Sequence, residues 1–158
     1  MVQLITETLF DAVAERAASS PRRRMNHNFH SSPQENPHRF LNVLLKGTYI
    51  RPHRHVDPPK TETFVVLEGE AEVLVFDAGG QVTERYLLGR RTAAGKNWGI
   101  DLPPGIWHTI LAVTDRVTCL EVKPGPWEPA TDKDWAPWAP QESDPSAADY
   151  LKSLAAPR

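Results

Sequence analysis

Short apolar runs separated by turn residues fill most of the sequence between residues 40 and 122. Many of them are rich in β-branched residues, and each has the length of a strand rather than that of a helix. Asp77-Ala78-Gly79-Gly80 has the composition of a hairpin turn. Many short strands with little intervening helix predict an all-β fold, and we expect a small jelly-roll β-barrel, whose architecture protects strand edges. The predicted strands are 40–45, 48–51, 62–67, 71–76, 82–88, 98–102, 109–113 and 117–122.

The segments before and after this region lack the strand pattern. On the N-terminal side, apolar residues recur at helical spacing behind Thr6, whose hydroxyl suits an N-cap, so residues 6–18 are predicted to form an amphipathic helix. After Gly125 the sequence is rich in proline and tryptophan, and residues 150–154 predict a short terminal helix. We expect a single domain over residues 1–158, made of an N-terminal helix in 1–20, a barrel in 24–124 and a wrapping tail in 125–158.

The tryptophans of this tail, Trp127, Trp135 and Trp138, have two interpretations. Aromatic faces offer a large apolar area with a polar handle and can stack on a sugar ring. More often, such a tail packs across the outside of a sheet. We favour packing, because a chain of this size has surface to cover and proline limits the entropy lost on ordering.

Three histidines and one glutamate form the pattern that carries chemistry. His53 and His55 are two residues apart in a strand-like context, so both side chains face one way while Arg54 faces the other. Glu62 opens the next apolar run, and we expect it to share the interior face with the apolar residues that follow. His108 comes after a Pro-Pro-Gly turn, at the start of another run. The four side chains are therefore predicted to converge from three strand ends.

A single histidine is more often an ordinary core or surface residue than a metal ligand, and this chain contains six. The combination H-x-H, E-x6-G and P-x-G-x2-H, in this order, favours a metal site instead. Imidazole suits several transition metals, and one carboxylate extends the range towards manganese. We predict one divalent transition metal ion (Fe, Mn, Ni, Zn or Co), with the ligands His53, His55, Glu62 and His108.

This pattern resembles the first motif of the cupin superfamily. Five residues separate Gly47 from His53, and six separate Glu62 from Gly69, as that motif requires. The gap of six residues between His55 and Glu62 is longer than the motif's usual spacing and contains two prolines. We therefore expect a wider loop at the mouth of the barrel.

The second cupin motif is kept in part. Pro103, Gly105 and His108 are in place, whereas Asn97 occupies the position of the first glycine and Ala112 that of the final asparagine. The metal ligand survives both departures. The turn geometry and any role of the missing asparagine do not transfer to this chain.

A narrower resemblance extends over nearly the whole chain. The similar stretches are 21–30, 49–55, 102–109, 121–127 and 132–140. They resemble the WbuC-type cupin-fold metalloproteins, a family associated with bacterial O-antigen and other surface-polysaccharide gene clusters. The resemblance implies a metal-binding cupin in polysaccharide metabolism, and it implies no particular reaction.

A dense polar segment precedes the first predicted strand. If it is extended, alternate side chains share one face. That face would present Arg24, Asn26, Asn28 and His30. An arginine there would pair with a carboxylate or phosphate while the amides orient hydroxyl groups, which makes these residues candidate substrate contacts. The alternative is a solvated basic linker, which three consecutive arginines also suit.

Lys60 is a further substrate-binding candidate, because it lies two residues before Glu62. It would act as a cationic contact or a proton donor, and the alternative, an exposed loop lysine, is slightly favoured. The catalytic residues are unknown. His30 and Lys60 are the candidates at hand, and His27 or a metal-bound hydroxide would be other bases.

Several functions fit such a site. Four protein ligands leave two positions of an octahedral ion open, which suits Lewis-acid isomerisation, epimerisation, lyase chemistry or hydrolysis of a sugar-related molecule. With Fe(II) the same positions would serve a dioxygenase. The alternative from a different class is a non-catalytic, metal-dependent module that binds a sugar-related or anionic small molecule, since a fold alone never decides function.

The composition indicates which classes of binding partner the protein is expected to have. The formal charge is −2, from 18 basic and 20 acidic residues, so we expect neither nucleic acid nor an acidic membrane as a partner. The single cysteine, Cys119, excludes an internal disulfide and is predicted to be a buried strand thiol, which fits the cytoplasm. No stretch has the length of a membrane span and the first residues do not resemble a secretion signal. A homodimer through an edge strand or the helix is a further expectation.

Overall fold

The structure is a computed structural model that describes residues 2–89 and 97–155. Helix α1 (Glu7–Ala18) and helix α2 (Ala147–Ala155) flank a β-rich body. Thr6 caps α1 by accepting a hydrogen bond from the main-chain nitrogen of Leu9, so the predicted N-terminal helix and its cap are confirmed. The strands are β1 (Arg24–Asn28), β2 (His38–Leu45), β3 (His53–Arg54), β4 (Glu62–Glu68), β5 (Glu70–Phe76), β6 (Val82–Gly89), β7 (Gly99–Leu102), β8 (Trp107–Ala112), β9 (Arg116–Lys123) and β10 (Asp134–Trp135).

These strands form two antiparallel five-stranded sheets. The first has the order β1-β2-β9-β4-β7, and the second has the order β10-β3-β8-β5-β6. Strands distant in sequence are therefore neighbours in both sheets, as in a jelly roll. The predicted all-β, jelly-roll-like fold with an N-terminal helix is confirmed.

The main core lies between the two sheets. Burial alternates along β4, where Phe64 and Val66 are at most 3% exposed and Val65 between them is partly exposed. Cys119 of β9 is fully buried in this core, and burial raises the pKa of its thiol, as expected of a structural cysteine. The core residues are Leu44, Ile50, Phe64, Val66, Ala71, Val73, Leu88, Leu102, Ile110, Val117 and Cys119.

Two further clusters cover the outer faces of the sheets. Helix α1 packs Val13 and Ala17 against Val43 of the first sheet. On the second sheet, Trp138 of the tail contacts Phe76 and Trp107, and α2 adds Leu154. This part of the tail packs across a sheet, which is the role favoured from sequence.

The predicted strand at 48–51 is wrong. Its backbone groups are used by side chains instead of by a neighbouring strand, because Tyr49 O accepts from the Arg24 guanidinium and Ile50 O accepts from the Thr109 hydroxyl. The ladder begins only at His53, which pairs with His108 of β8. Strands β1 and β10 were not among the predicted strands.

The turn between β4 and β5 requires glycine at position 69. Gly69 has φ +76, and a Cβ atom at this position would lie 2.1 Å from the main-chain oxygen of Arg116. Only glycine accommodates both the left-handed backbone and this close approach. The predicted hairpin turn is also present, with the Asp77 side chain accepting from the main-chain nitrogens of Gly79 and Gln81.

Candidate metal centre and adjoining cavity

The structure brings together all four side chains that the sequence nominates as metal ligands. His53 lies in β3 and His55 just after it, Glu62 begins β4, and His108 lies in β8. One ligand atom from each lies within 4.8 Å of the others, and the four residues are between 2% and 4% exposed. The cluster sits at one end of the two-sheet body, with its histidines on the side of the second sheet and its carboxylate on the first.

Main-chain carbonyl groups orient all three imidazoles. His53 Nδ1 donates to Arg51 O at 3.0 Å, and His108 Nδ1 donates to Ile106 O at 2.9 Å. His55 Nδ1 donates in the same way to the main-chain oxygen of Asp132. Because a carbonyl oxygen only accepts, each Nδ1 carries the hydrogen, and the Nε2 lone pair of the neutral ring remains for a ligand.

The remaining donor atoms have too few protein partners. His108 Nε2 lies 2.9 Å from Glu62 Oε2, and His55 Nε2 lies 3.2 Å from Glu62 Oε1. The His55 Nε2 atom is buried and makes no hydrogen bond of adequate geometry. The three Nε2 atoms and the Glu62 carboxylate converge, yet all of them are hydrogen-bond acceptors when the rings are neutral. Such a set of nitrogen and oxygen atoms is typical of a divalent transition metal site. The residues present therefore fit such an ion.

The protonation states also suit cation binding. Burial, together with the nearby charge of Lys133, holds the pKa of His53 well below its usual value, so this ring is neutral. Burial alone would raise the pKa of Glu62. The imidazoles of His108 and His55 and the ammonium of Lys123 outweigh burial and hold the pKa of this carboxyl well below its usual value. The site thus offers a neutral imidazole and an ionised carboxylate.

Charged residues behind the cluster form a buried network. Lys123 Nζ lies 3.4 Å from Glu62 Oε1 and 3.0 Å from Asp132 Oδ2. Lys60 Nζ lies 2.9 Å from Asp132 Oδ1 and donates to Pro126 O at 2.6 Å. Burial opposes ionisation of Asp132, but the two lysines hold its pKa below the usual value. Asp132 therefore joins the tail to the metal cluster through both its carboxylate and its main-chain oxygen.

A cavity of about 760 Å³ lies beside the cluster. Lys123 and Trp135 line the cavity and also contact the cluster, since Lys123 approaches Glu62 and the Trp135 ring lies 5.4 Å from the His53 ring. This volume is within the range of sites for small organic ligands. The polar and aromatic lining includes Arg24, Asn26, Asn28, His30, His38, Asn42, Glu121, Lys123, Trp127, Asp132, Lys133 and Trp135.

The polar segment before the first sheet strand is extended, as β1, and Arg24, Asn26, Asn28 and His30 all line the cavity. Arg24 is buried and already paired, because it donates to Glu142 Oε1 at 2.6 Å and to Tyr49 O at 2.9 Å. His30 stacks on His38 with ring centroids 4.0 Å apart. Asn26 and Asn28 are exposed. Their assignment as substrate contacts stays a prediction.

Lys60 is not the exposed loop lysine that the sequence slightly favoured. It is 3% exposed, and its ammonium is held by Asp132 and Pro126 O. The long segment between His55 and Glu62 folds back on itself, with a bridge between Val56 and Pro59, and this brings Lys60 inside. The ammonium of Lys60 is thus bonded to other protein groups, and its role as a substrate contact stays a prediction.

Sequence reasoning missed Asn42, Glu121, Lys123, Asp132 and Lys133. A signal for two of them was present in β9. Val117 and Cys119 point into the core, and the alternation of the strand places Glu121 and Lys123 on the same inward face. Charged residues on the core face of an apolar strand are typical of a functional site. Nothing in the local sequence marks Asp132 or Lys133.

Burial and the charge of Glu62 raise the pKa of Glu121 to about 8, so this carboxyl keeps its proton at neutral pH. Its oxygen Oε2 accepts a hydrogen bond from Asn42 Nδ2 at 2.9 Å. Burial and the charge of Lys123 lower the pKa of Lys133. The cavity therefore contains two groups whose proton affinities are shifted towards neutrality, which is typical of acid and base residues.

Among the described residues, neither helix is long and apolar enough to cross a membrane. A family profile described as a domain of unknown function, DUF6016, matches residues 5–88. No curated protein shows significant sequence similarity to the chain.

Many solved structures share the fold at low sequence identity. Protein SO0799 from Shewanella oneidensis is 14% identical with a TM-score of 0.56, over 70% of this chain and 72% of that one. The capsular polysaccharide assembling protein CapF from Staphylococcus aureus is 19% identical with a TM-score of 0.55, over 73% of this chain and 30% of that one. TT1209 from Thermus thermophilus is 20% identical with a TM-score of 0.53, over 77% of this chain and 97% of that one. At these identities the likeness shows the fold alone.

Proposed function

The chain belongs to the DUF6016 family, a domain of unknown function, and we propose that it is a metal-binding cupin that binds and transforms a sugar-related small molecule in the adjoining cavity. One observation carries the proposal. The Nδ1 atoms of His53, His55 and His108 are all bonded to main-chain oxygens, which leaves three Nε2 atoms and the Glu62 carboxylate directed at one another. This arrangement suits a cation better than any set of internal hydrogen bonds.

His53, His55, Glu62 and His108 would hold the ion. When bound, a divalent metal supplies Lewis-acid polarisation of a carbonyl or hydroxyl group of the substrate. The chain's own residues supply the proton transfers. Glu121, protonated at neutral pH, would donate a proton from its carboxyl to the substrate. Isomerisation, epimerisation and elimination all use a proton-transferring group of this kind beside the polarised group.

This assignment replaces the catalytic candidates nominated from sequence. Lys60 uses its ammonium to hold Asp132 and Pro126 O, which makes it a positioning residue for the tail. His30 is stacked on His38, and its Nδ1 lies 3.1 Å from Arg39 O. The polar atoms of both residues are therefore engaged by protein groups.

The second candidate function is a non-catalytic, metal-dependent binding module. The burial of the four predicted ligands favours this function, because each of them is at most 4% exposed. Lys123 and Trp135 border these ligands on the cavity side. A metal in this position would then stabilise the wall of a binding cavity. Fe(II) in the same site would allow a dioxygenase, so the identity of the metal separates these chemistries.

The cellular setting is part of the proposal. The resemblance to WbuC-type proteins supports a place in bacterial surface-polysaccharide metabolism, in the cytoplasm, and CapF, whose fold is similar, is described as a capsular polysaccharide assembling protein. The small-molecule partner and a homodimer through an edge strand or α1 belong to the same proposal.

The metal claim is tested by elemental analysis of the purified protein and of the variants His53→Ala and His108→Ala. We expect about one divalent transition metal per chain in the parent and a loss in both variants. His27→Ala is the matched control, because His27 lies outside the cluster and its ring contacts Phe29. Full metal occupancy in both cluster variants would overturn the proposal.

Catalysis is tested with metal-replete protein and a panel of activated sugars and sugar acids. Conversion that is lost in Glu121→Gln, with metal content unchanged, would support the enzyme. Binding across the panel without any conversion would support the binding module instead.

A further inference from the structure

The cations that line the cavity differ in whether they already have an acidic partner. Arg24 and Arg22 both pair with Glu142, at 2.6 Å and 3.3 Å. Lys123 pairs with Glu62 and Asp132. Arg16 is exposed on α1, where water screens a charge. Each of these cations is therefore neutralised by the protein or by solvent.

Lys133 is the exception. It lines the cavity and is partly buried, yet within residues 2–89 and 97–155 its ammonium makes neither a hydrogen bond nor an ion pair. Its Nζ atom lies 5.3 Å from the centre of the Trp135 ring, which is a cation–π contact that leaves the other directions of the ammonium free. A desolvated ammonium without an anionic partner is unfavourable unless a ligand supplies one.

The local charge balance points in the same direction. Near the cluster, the ammonium groups of Lys60 and Lys123 pair with the ionised carboxylates of Glu62 and Asp132. Lys133 adds a third positive charge, which has no carboxylate partner among the described residues. Glu121 is protonated at neutral pH. The protein groups alone thus leave an excess of positive charge, and a bound divalent metal would increase it.

A second, independent observation identifies an unused acceptor. Asn42 is 9% exposed and lines the cavity, and its amide nitrogen donates to Glu121 while its Oδ1 atom is buried without a hydrogen-bond partner. A buried amide oxygen of this kind is normally satisfied. Rotation of the amide would bring this oxygen to the cavity surface, where a hydroxyl group on a bound ligand would supply the missing donor.

Two aromatic side chains complete the lining. Trp127 and Trp135 are 42% and 40% exposed, which is unusual for tryptophan, and both border the cavity. Such half-open indole rings provide flat apolar surfaces for a ring with a polar edge. Trp135 also contacts His53, so a ligand on this surface lies close to the metal cluster.

We propose that the cavity is a binding site for a hydroxylated, ring-bearing oxyanion, such as a sugar acid or a sugar phosphate, whose anionic group pairs with Lys133, whose hydroxyl donates to Asn42 Oδ1 and whose ring stacks on Trp127 or Trp135. The proposal rests on the proposed function, because it names the class of molecule that the site takes. It moves the anion contact away from Arg24 and Lys60, which the protein itself neutralises.

Calorimetric titration of the full-length protein tests the charge requirement. D-glucuronate and D-glucose 1-phosphate are the anionic probes, and they also distinguish a carboxylate from a phosphate. D-glucose is the neutral probe. We expect at least one anionic probe to bind more than tenfold tighter than D-glucose, in line with the usual strength of charge-assisted hydrogen bonds.

Variants assign that preference to Lys133. Lys133→Gln should weaken binding of the anionic probe roughly tenfold or more, and Lys133→Arg should retain most of it. Lys152→Gln is the matched control, because Lys152 is exposed on α2, where it pairs with Asp149. Metal content and circular dichroism should be unchanged in all three, so weaker anion binding is not a consequence of losing the metal or the fold. A parent protein that holds no metal would count against the proposed function, and this result is read separately from anion binding.

A ring-free anion separates stacking from charge. Trp127→Ala should weaken binding of the sugar anion while leaving that of inorganic phosphate within about twofold, because phosphate has no ring to stack. Three results would each overturn the proposal. The parent could bind D-glucose as tightly as the anionic probes, it could bind neither anion, or Lys133→Gln could bind the anionic probe with parental affinity.

Discussion

His55 donates its Nδ1 hydrogen to the main-chain oxygen of Asp132, which lies 77 residues further along the chain. The carboxylate of Asp132 accepts from Lys60 and Lys123. The tail therefore reaches back to orient one of the four predicted metal ligands, and the lysine pair holds the tail in that position. The predicted metal site therefore depends on a segment outside the two motifs that nominate its ligands.

Asp132→Asn should weaken metal binding although Asp132 is no predicted ligand. The substitution removes the anion between two buried ammonium groups and displaces the main-chain oxygen that orients His55. Removing a partner that orients a ligand typically lowers metal affinity roughly 10–100-fold. Competition with a chromophoric chelator measures this affinity.

Asp134→Asn is the matched control for that experiment. Asp134 lies in the same tail and pairs with Arg54, where both side chains are more than one third exposed. We expect its metal affinity to stay within about twofold of the parent value, since exposed ion pairs contribute little. If Asp132→Asn binds metal with the affinity of the parent, the tail does not support the metal site and the prediction is wrong.

Metal binding should raise thermal stability. A ligand that binds only the folded chain stabilises it by about 2.7 kcal/mol at a concentration 100 times its Kd. For a chain of this size, that corresponds to a rise in Tm of roughly 5–10 °C. Scanning calorimetry with and without a chelator measures the shift. The shift should vanish in His108→Ala, and a chelator effect of the same size in that variant would mean that the metal lies elsewhere.

Glu121 predicts a pH dependence of stability. Its pKa is about 8 in the folded chain and roughly 4.3 in the unfolded chain. Between these values the unfolded carboxyl has lost a proton that the folded one keeps, so unfolding releases a proton and Glu121 makes the folded state progressively less stable as pH rises. The effect levels off above about pH 8.

Glu121→Gln removes this dependence and keeps an acceptor for Asn42. The Tm of the variant relative to the parent should therefore increase from pH 5 to pH 8. Thermal unfolding in the presence of a chelator measures it, so that no bound cation alters the charge of the site. A Tm difference that stays constant over this range would show that Glu121 is not held protonated.

Gly69→Ala should be strongly destabilising. Gly69 has φ +76, and its Cβ would lie 2.1 Å from Arg116 O, whereas a Cβ on Gly79 would meet nothing closer than 3.4 Å. We expect a loss of at least about 1–3 kcal/mol in the free energy of unfolding for Gly69→Ala and a much smaller change for Gly79→Ala. Urea denaturation measures both, and equal effects would contradict the backbone account.

The strands and the ligand set could be predicted because their signals are local. Alternation and turn residues locate most strands, and the two-residue spacing of His53 and His55 defines a shared face. The predicted strand at 48–51 failed because side chains of Arg24 and Thr109 take its carbonyl groups, which is a tertiary effect. The same holds for the tail, whose Asp132 and Lys133 reach the site only after the chain has crossed both sheets.

The burial of Lys60 could not be predicted from the sequence. Its sequence context, a proline-rich loop, is typical of an exposed lysine. Its burial depends on a carboxylate 72 residues away. Burial of a charged group is costly without a partner of opposite charge, and pairs between distant segments carry no local pattern.

X-ray absorption spectroscopy at the edge of the bound metal tests the central claim most directly. We predict a coordination shell of nitrogen and oxygen only, at about 2.0–2.2 Å, with multiple scattering from imidazole rings. The imidazole scattering should decrease in His108→Ala reconstituted with excess metal. A shell that contains sulfur, or one without imidazole scattering in the parent, would contradict the assignment of His53, His55, Glu62 and His108 as the metal ligands.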